Sequence, residues 1–127
     1  MIENEVIPYI SIDPKKFRLR IHKQTLSILG IPDHIQLLID PKQHKIAIQA
    51  IDKKTRTSHK IKFEELRPDS SYELYSTFFI RRIQEVAPWI TSDYSYRFRG
   101  ELHTDHSLVL FSLKDAQRIE TEVEPYE

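Results

Sequence analysis

Apolar and polar residues along this chain alternate, shift to helical spacing, and alternate again. The clearest passage is 17–40, FRLRIHKQTLSILGIPDHIQLLID. Phe17, Leu19 and Ile21 fall on one face of an extended segment, and Arg18 and Arg20 on the other. Helical spacing starts near Lys23, with Leu26 and Leu29 as its apolar stripe. Gly30 sits where a left-handed cap belongs, and Pro32 forbids continuation. From Ile35 the alternation returns, with Ile35, Leu37 and Ile39 opposed to Gln36, Leu38 and Asp40. DPKQHK is a polar turn and IAIQAI (46–51) a returning strand, so 35–51 predicts a β-hairpin. Upstream, IPYISI (7–12) reads as a strand and Asp13-Pro14-Lys15-Lys16 as a turn.

After a polar, basic linker at 52–59 the grammar repeats. KIKF (60–63) alternates like a strand, and EELRPDSS reads as a loop ending in the capping-box pattern Ser70-x-x-Glu73. The helix expected next places Tyr72, Tyr75, Phe79, Ile83, Val86 and Ala87 on one face, and Pro88 ends it. SYRFRGEL (95–102) alternates Tyr96, Phe98 and Leu102 with Arg97 and Arg99 between them, HTDHS turns, and LVLFSL (108–113) returns. Residues 114–127, KDAQRIETEVEPYE, begin with a helical pattern and finish as an acidic tail. A βαββ unit alone leaves helix and hairpin faces uncovered. The expectation is therefore an α+β fold: two βαββ units, 7–51 and 60–113, with approximate internal two-fold symmetry, packed as one small barrel-like domain over 1–127.

Residues 18–51 resemble the swapped-hairpin superfamily of AbrB, MazE and MraZ. The likeness lies in a first strand ending in Ile21 with Lys23 nearby and a short helix closing in Leu29-Gly30-Ile31. A Pro32-Asp33 step and the alternating hairpin complete it. Two features depart from the pattern: His22 stands where the family has Pro, and the Gly before its Asp is missing. The resemblance implies a barrel formed either by hairpin exchange in a homodimer or, as in the MraZ type, by two copies in one chain. It also implies binding of double-stranded DNA through basic residues on the first strand and adjoining loops. Here those are Lys15, Lys16, Arg18, Arg20 and Lys23, joined by Lys53, Lys54 and Arg56. The whole chain is also similar to small proteins of bacterial mobile elements, a likeness that implies no activity.

Charge changes the picture in one respect. The net charge is zero, yet residues 1–63 carry 12 Lys+Arg against 6 Asp+Glu, and residues 64–127 carry 7 against 13. A basic half and an acidic half suit a nucleic-acid face, self-association, or two different partners. Arg18 and Arg20, about 7 Å apart on one strand face, suit neighbouring phosphates, where clustered cations gain affinity by releasing counterions. The opposing reading is an exposed strand whose Arg stems cover apolar neighbours. A second basic pair, Arg81-Arg82, could extend such a face together with Arg97 and Arg99, against the simpler reading of the pair as the solvated side of an amphipathic helix.

With 127 residues the chain suits one domain. It has no Cys, hence no disulfide, thiolate metal site or cysteine nucleophile, which fits a reducing cytoplasm. The acidic start MIENEVIPYISIDPKK does not read as a signal peptide, and no apolar run suggests a membrane partner. Only Gly30 and Gly100 are glycines, so no Gly-rich phosphate loop is present. His103-x-x-His106 with Asp105 is the one metal-like cluster, and a polar hairpin turn accounts for it. Glu64, Glu65, Asp93, Glu101 and Asp105 have no partners whose catalytic role can be named. The aromatics Tyr72, Tyr75, Phe78, Phe79 and Trp89 could supply a stacking platform for single-stranded nucleic acid, but at helical spacing they read as core, with Phe78 as the one exposed contact. The expectation is a non-enzymatic, cytoplasmic DNA-binding protein without cofactor or metal, either a small regulator or a mobile-element accessory factor. The alternative is a protein-interaction module, antitoxin-like or inhibitory, that uses the acidic half.

Overall fold

The computed structural model describes residues 7–66 and 71–119. The first hairpin, β1 (Tyr9–Asp13) and β2 (Arg18–His22), forms because Ile10, Ile12, Leu19 and Ile21 all point inward and are fully buried. Its connection, Pro14-Lys15-Lys16, is a 3-10 turn closed by Phe17 in the left-handed region at φ 52°. Two later turns end in the same way. His44 (φ 55°) follows Asp40-Pro41-Lys42-Gln43 between β3 (His34–Asp40) and β4 (Lys45–Ile51). Ser107 (φ 52°) follows Thr104-Asp105-His106 between β7 (Ser95–His103) and β8 (Leu108–Ser112). One left-handed residue after a right-handed turn re-aims the strand without a glycine.

Helix α1 (Lys23–Ile28) starts on His22, whose Nδ1 accepts from Gln24 N–H, and inserts Leu26 into the core. It stops in a Schellman arrangement: Ile31 N–H donates to Leu26 O at 3.1 Å and Gly30 N–H to Ser27 O at 3.0 Å. Gly30 is left-handed at φ 85°, as its position in the sequence predicts, and Ile31 shares that region at φ 52°.

The second half departs from expectation at its start. Residues Ser71–Tyr75 form a strand, β6, and helix α2 (Thr77–Val86) begins only after it, capped by the Ser76 hydroxyl accepting from Phe79 N–H at 3.1 Å. Ser70 of the expected capping box lies outside the described residues, and Glu73 is on the strand. SYELY alternates as well as it spaces, and pairing with β2 buries Leu74 and half-buries Tyr72. Ahead of β6, the expected strand at 60–63 is reduced to β5 (His59–Lys60) and a 3-10 turn, Phe63–Glu65. Following β8, Leu113–Asp115 is a 3-10 turn and Gln117–Ile119 a strand, β9, where the sequence suggests a helical start. The acidic residues 120–127 lie outside the described residues.

All strand pairs are antiparallel, and the strands join in the order β5-β3-β4-β8-β7-β1-β2-β6, with β9 alongside β7. The sheet curls into a half-barrel around one core, to which α1 contributes Leu26, its C-cap contributes Leu29, and α2 contributes Ile80 and Ile83. This is a small, barrel-like α+β domain. No helix among the described residues is long and apolar enough to cross a membrane.

Strand β7 holds the half-barrel together. Its residues 96–99 pair with β1 on one edge, while 95–97 pair with β9 and 100–103 with β8 on the other. Gly100 marks the crossover. A Cβ there would stand 2.9 Å from Phe111 Cζ and closer still to Val109 Cγ1, and both side chains are fully buried. Gly100→Ala should therefore destabilise the fold by about 1–3 kcal/mol, the usual range for an overpacked core, read as a lower denaturant midpoint. A second prediction concerns His59 on β5, whose imidazole burial pushes below its ordinary value of 6.5. Because the folded state disfavours the charged ring, its contribution to stability is complete above the unfolded pKa and is lost as pH falls through the folded one. Unfolding measured between about pH 7.5 and 5 should show less acid destabilisation in His59→Gln than in the parent chain.

Candidate nucleic-acid interface

The inward set Ile10, Ile12, Leu19, Ile21, Leu74, Tyr96 and Phe98 forces the alternate residues of β6, β2, β1 and β7 outward. The strand registers then line those residues up. Glu73 pairs with Arg20, Arg20 with Ser11, Ser11 with Arg97, and Arg97 with Gln117, so one row crosses five strands. Arg20 and Arg97 stand two strand spacings apart, roughly 10 Å between backbones, with the small Ser11 between them. Beside this row, Arg99 pairs with Tyr9, and Arg18 pairs with Asp13 and Tyr75. Four arginines thus share one surface with Asp13 and Glu73, and Glu101 follows Arg99 on the same face of β7.

Those arginines differ in how they are held. Arg18 is mostly covered and bonds Asp13 through Nη2 to Oδ2 at 3.2 Å, while its buried Nε has no partner among the described residues. Arg20 is exposed and meets Glu73, Nε to Oε1, at 3.2 Å. Arg97 and Arg99 are exposed, and among the described residues neither pairs with a carboxylate. Their guanidinium carbons lie 5.4 and 5.8 Å from the Tyr9 ring centroid, a cation–π arrangement that restrains the pair without neutralising it. Tyr9 in turn is fixed by α1, since its N–H donates to Thr25 Oγ1 and its carbonyl accepts from the same buried hydroxyl.

Two hollows open on this face. One, about 380 Å³, is lined by Tyr9, Ser11, Arg20, His22, Gln24 and Arg97 among others. The second, about 260 Å³, shares Ser11, Arg20 and Arg97 and adds Asp13, Arg18 and Ile119. Both present hydroxyl and guanidinium donors, and the first adds the Gln24 amide, which suits an anionic, oxygen-rich ligand.

Of the basic residues singled out in the sequence, Arg18 and Arg20 lie within this face, and Lys15 and Lys16 are exposed at the tip of the β1–β2 hairpin next to it. Lys23 is otherwise engaged. Its Nζ donates to Leu66 O at 2.8 Å and sits 4.7 Å from the Phe63 ring centroid. Lys53, Lys54 and Arg56 are exposed in the loop after β4. Three strands separate β4 from β2, which is about 19 Å along the sheet. Arg97 and Arg99 were readable only as an extension of a basic face, because nothing in one sequence says that β1 separates β2 from β7. His103 closes β7, 3.9 Å from Glu101, and Asp105 and His106 are exposed in the turn beyond. Phe78 is 83% exposed on α2, whereas Phe79 is half-buried. Tyr75 and Trp89, read as core from the sequence, are exposed, because Tyr75 lies on a strand and not on the helical stripe and Trp89 follows the end of α2.

No protein-family model, curated protein or solved structure matches the chain. The unequal environments of Arg18 and Arg20 make a stability prediction. Arg18→Ala strands Asp13 in a mostly covered site and should cost about 1.5–3 kcal/mol, the range for a hydrogen bond to a charged group. Arg20→Ala removes an exposed pair and should cost less than about 1 kcal/mol. Urea unfolding of the two variants checks the order.

Proposed function

We propose that this chain is a non-enzymatic DNA-binding protein whose outer sheet face, centred on Arg20, Arg97 and Arg99, lies against duplex phosphates. The supporting observation is the register row that sets Arg20 and Arg97 on either side of Ser11, with Arg97 and Arg99 free of carboxylates among the described residues. Lys15 and Lys16 at the hairpin tip widen the cationic surface, and Ser11, His22 and Gln24 add neutral or titratable donors between the charges.

The proposal extends to the architecture: two copies of one unit around an approximate two-fold axis, the tandem form of the swapped-hairpin barrel. In its favour, the order strand, 3-10 turn, strand, helix, strand, strand occurs over 9–51 and again over 59–112. The registers correspond as well. Leu37–Ile48 of the β3–β4 hairpin falls on Gly100–Phe111 of the β7–β8 hairpin. The pairs Ile10–Phe98 and Ser11–Arg97 fall on His59–Ile35 and Lys60–His34. Such an axis would pass between Arg20 and Glu73 on one side and near Ala47 and Leu110 on the other. In that family the first strand and its loops meet DNA, which is where Lys15, Lys16 and Arg20 stand. A small regulator or mobile-element accessory factor fits this reading.

A second reading, a protein-interaction module built on the second half, draws on Phe78, exposed beside Arg81 and Arg82, and on the exposed Tyr75 at the end of β6. The two readings part in solution. Binding of a labelled duplex followed by anisotropy at about 50 mM salt should weaken steeply as salt is added. In Arg97→Ala/Arg99→Ala the affinity should fall and the salt slope should shrink by about two, one per lost phosphate contact. Phe78→Ser should leave duplex binding intact. Absence of binding to any duplex at that salt, or binding indifferent to Arg97 and Arg99, would sink the DNA reading.

A further inference from the structure

The arginine face leaves Arg97 and Arg99 without carboxylates among the described residues, and the chain is led directly to it. Strand β9 runs antiparallel along β7, with Gln117 opposite Arg97 and Ile119 opposite Ser95. Ile119 itself lines the smaller hollow together with Arg18, Arg20 and Arg97. The eight residues that follow, ETEVEPYE, hold four carboxylates, Glu120, Glu122, Glu124 and Glu127, and no cation. We propose that residues 120–127 dock on the outer face of β2, β1 and β7 as an internal polyanion, engaging Arg20, Arg97 and Arg99 and the hairpin lysines Lys15 and Lys16.

Reach and charge both suit this occupant. Eight extended residues span at most about 27 Å, and β2 lies three strand spacings from β9, roughly 14 Å. A single exposed ion pair contributes about 0–1 kcal/mol, too little to hold a free peptide. Tethering changes that balance, because a short linker presents the carboxylates at an effective concentration on the order of millimolar. Docking requires only the basic face. Its consequence, that the segment competes with DNA for the same arginines, rests on the nucleic-acid reading above and would make binding conditional on displacing it.

The chain contains no cysteine, so Tyr126→Cys offers a single attachment point for a nitroxide label on the otherwise complete chain. Docking predicts paramagnetic broadening of the amide signals of Arg20, Arg97 and Arg99, absent from the loop bearing Lys53, Lys54 and Arg56 and reversed by about 0.5 M salt, where screening is strong. No broadening on β2 and β7, or equal broadening of that distant loop, overturns the proposal. For the competition, removal of 120–127 and, separately, Glu120→Gln, Glu122→Gln, Glu124→Gln and Glu127→Gln in one full-length variant should each tighten duplex binding. A segment that occupies the face nine-tenths of the time gives about a tenfold gain, narrowing as salt rises. Unchanged affinity in both variants overturns competition. Broadening as predicted with no duplex binding by any form upholds docking and removes the DNA reading.

Discussion

Strand β7 cannot place Tyr96 and Phe98 in the core without turning Arg97 and Arg99 to solvent, because successive side chains on a strand leave opposite faces. Both aromatics are buried, and Tyr96 is held further by its hydroxyl, which lies 3.0 Å from Thr91 N and 3.3 Å from Trp89 O. The same strand pairs β1 on one edge and β8 and β9 on the other, so its register propagates to the rest of the half-barrel. A slip of one residue would bury two guanidinium groups and expose two large aromatics. The hydrophobic term alone forbids it, at roughly 1.5–3 kcal/mol for each large apolar side chain. The position of the arginines is thus a by-product of core packing.

The charge asymmetry between the two halves acquires a physical setting from the same pairing. Strand β2 belongs to the basic half and β6 to the acidic half, and they meet at Arg20 and Glu73. Under the proposed two-fold correspondence these two residues are counterparts, and Lys15-Lys16 answers to Glu64-Glu65 in the equivalent 3-10 turn. A duplicated unit with like charges at these positions would face itself repulsively across the axis. Opposite charges remove that repulsion, and the proposed anion-binding surface joins Arg20 of the first copy to Arg97 and Arg99 of the second.

Much of this fold was legible in the sequence where one period ruled alone. Alternation located β2, β3 and β7, short apolar runs located β1, β4 and β8, and Gly30 marked the end of α1, because each signal there has a single local solution. The start of α2 was not legible. Tyr72 and Tyr75 fit a helical stripe with Phe79, and Ser70-x-x-Glu73 imitates a capping box, yet the segment is a strand because β2 offers it a full ladder. Local pattern lost to a tertiary partner 50 residues away in the chain. The candidate site was half legible for a similar reason. Arg18 and Arg20 stood out, but the insertion of β1 between β2 and β7, which brings Arg97 and Arg99 beside them, is long-range information. Lys23 looked equivalent to Arg20 and is instead tied to Leu66 and Phe63.

An isoelectric point near 7 looks at first incompatible with a polyanion partner, and the geometry removes the conflict. A phosphate at the outer face responds to charges within about one Debye length, near 10 Å at 0.1 M salt, not to the sum over the chain. Within that radius of Ser11 stand Arg20 and Arg97, one strand to either side, with Arg18, Arg99 and His22 flanking them. Asp13 is engaged by a mostly covered Arg18, and Glu73 sits on the far side of Arg20 from Ser11. Of the acidic excess of the second half, Glu64, Glu65, Glu85 and Asp105 lie on other elements, and Glu101 stands four residues along β7 from Arg97. Net charge therefore bounds nonspecific adhesion of the whole protein, while the local row of arginines sets what this one face can hold.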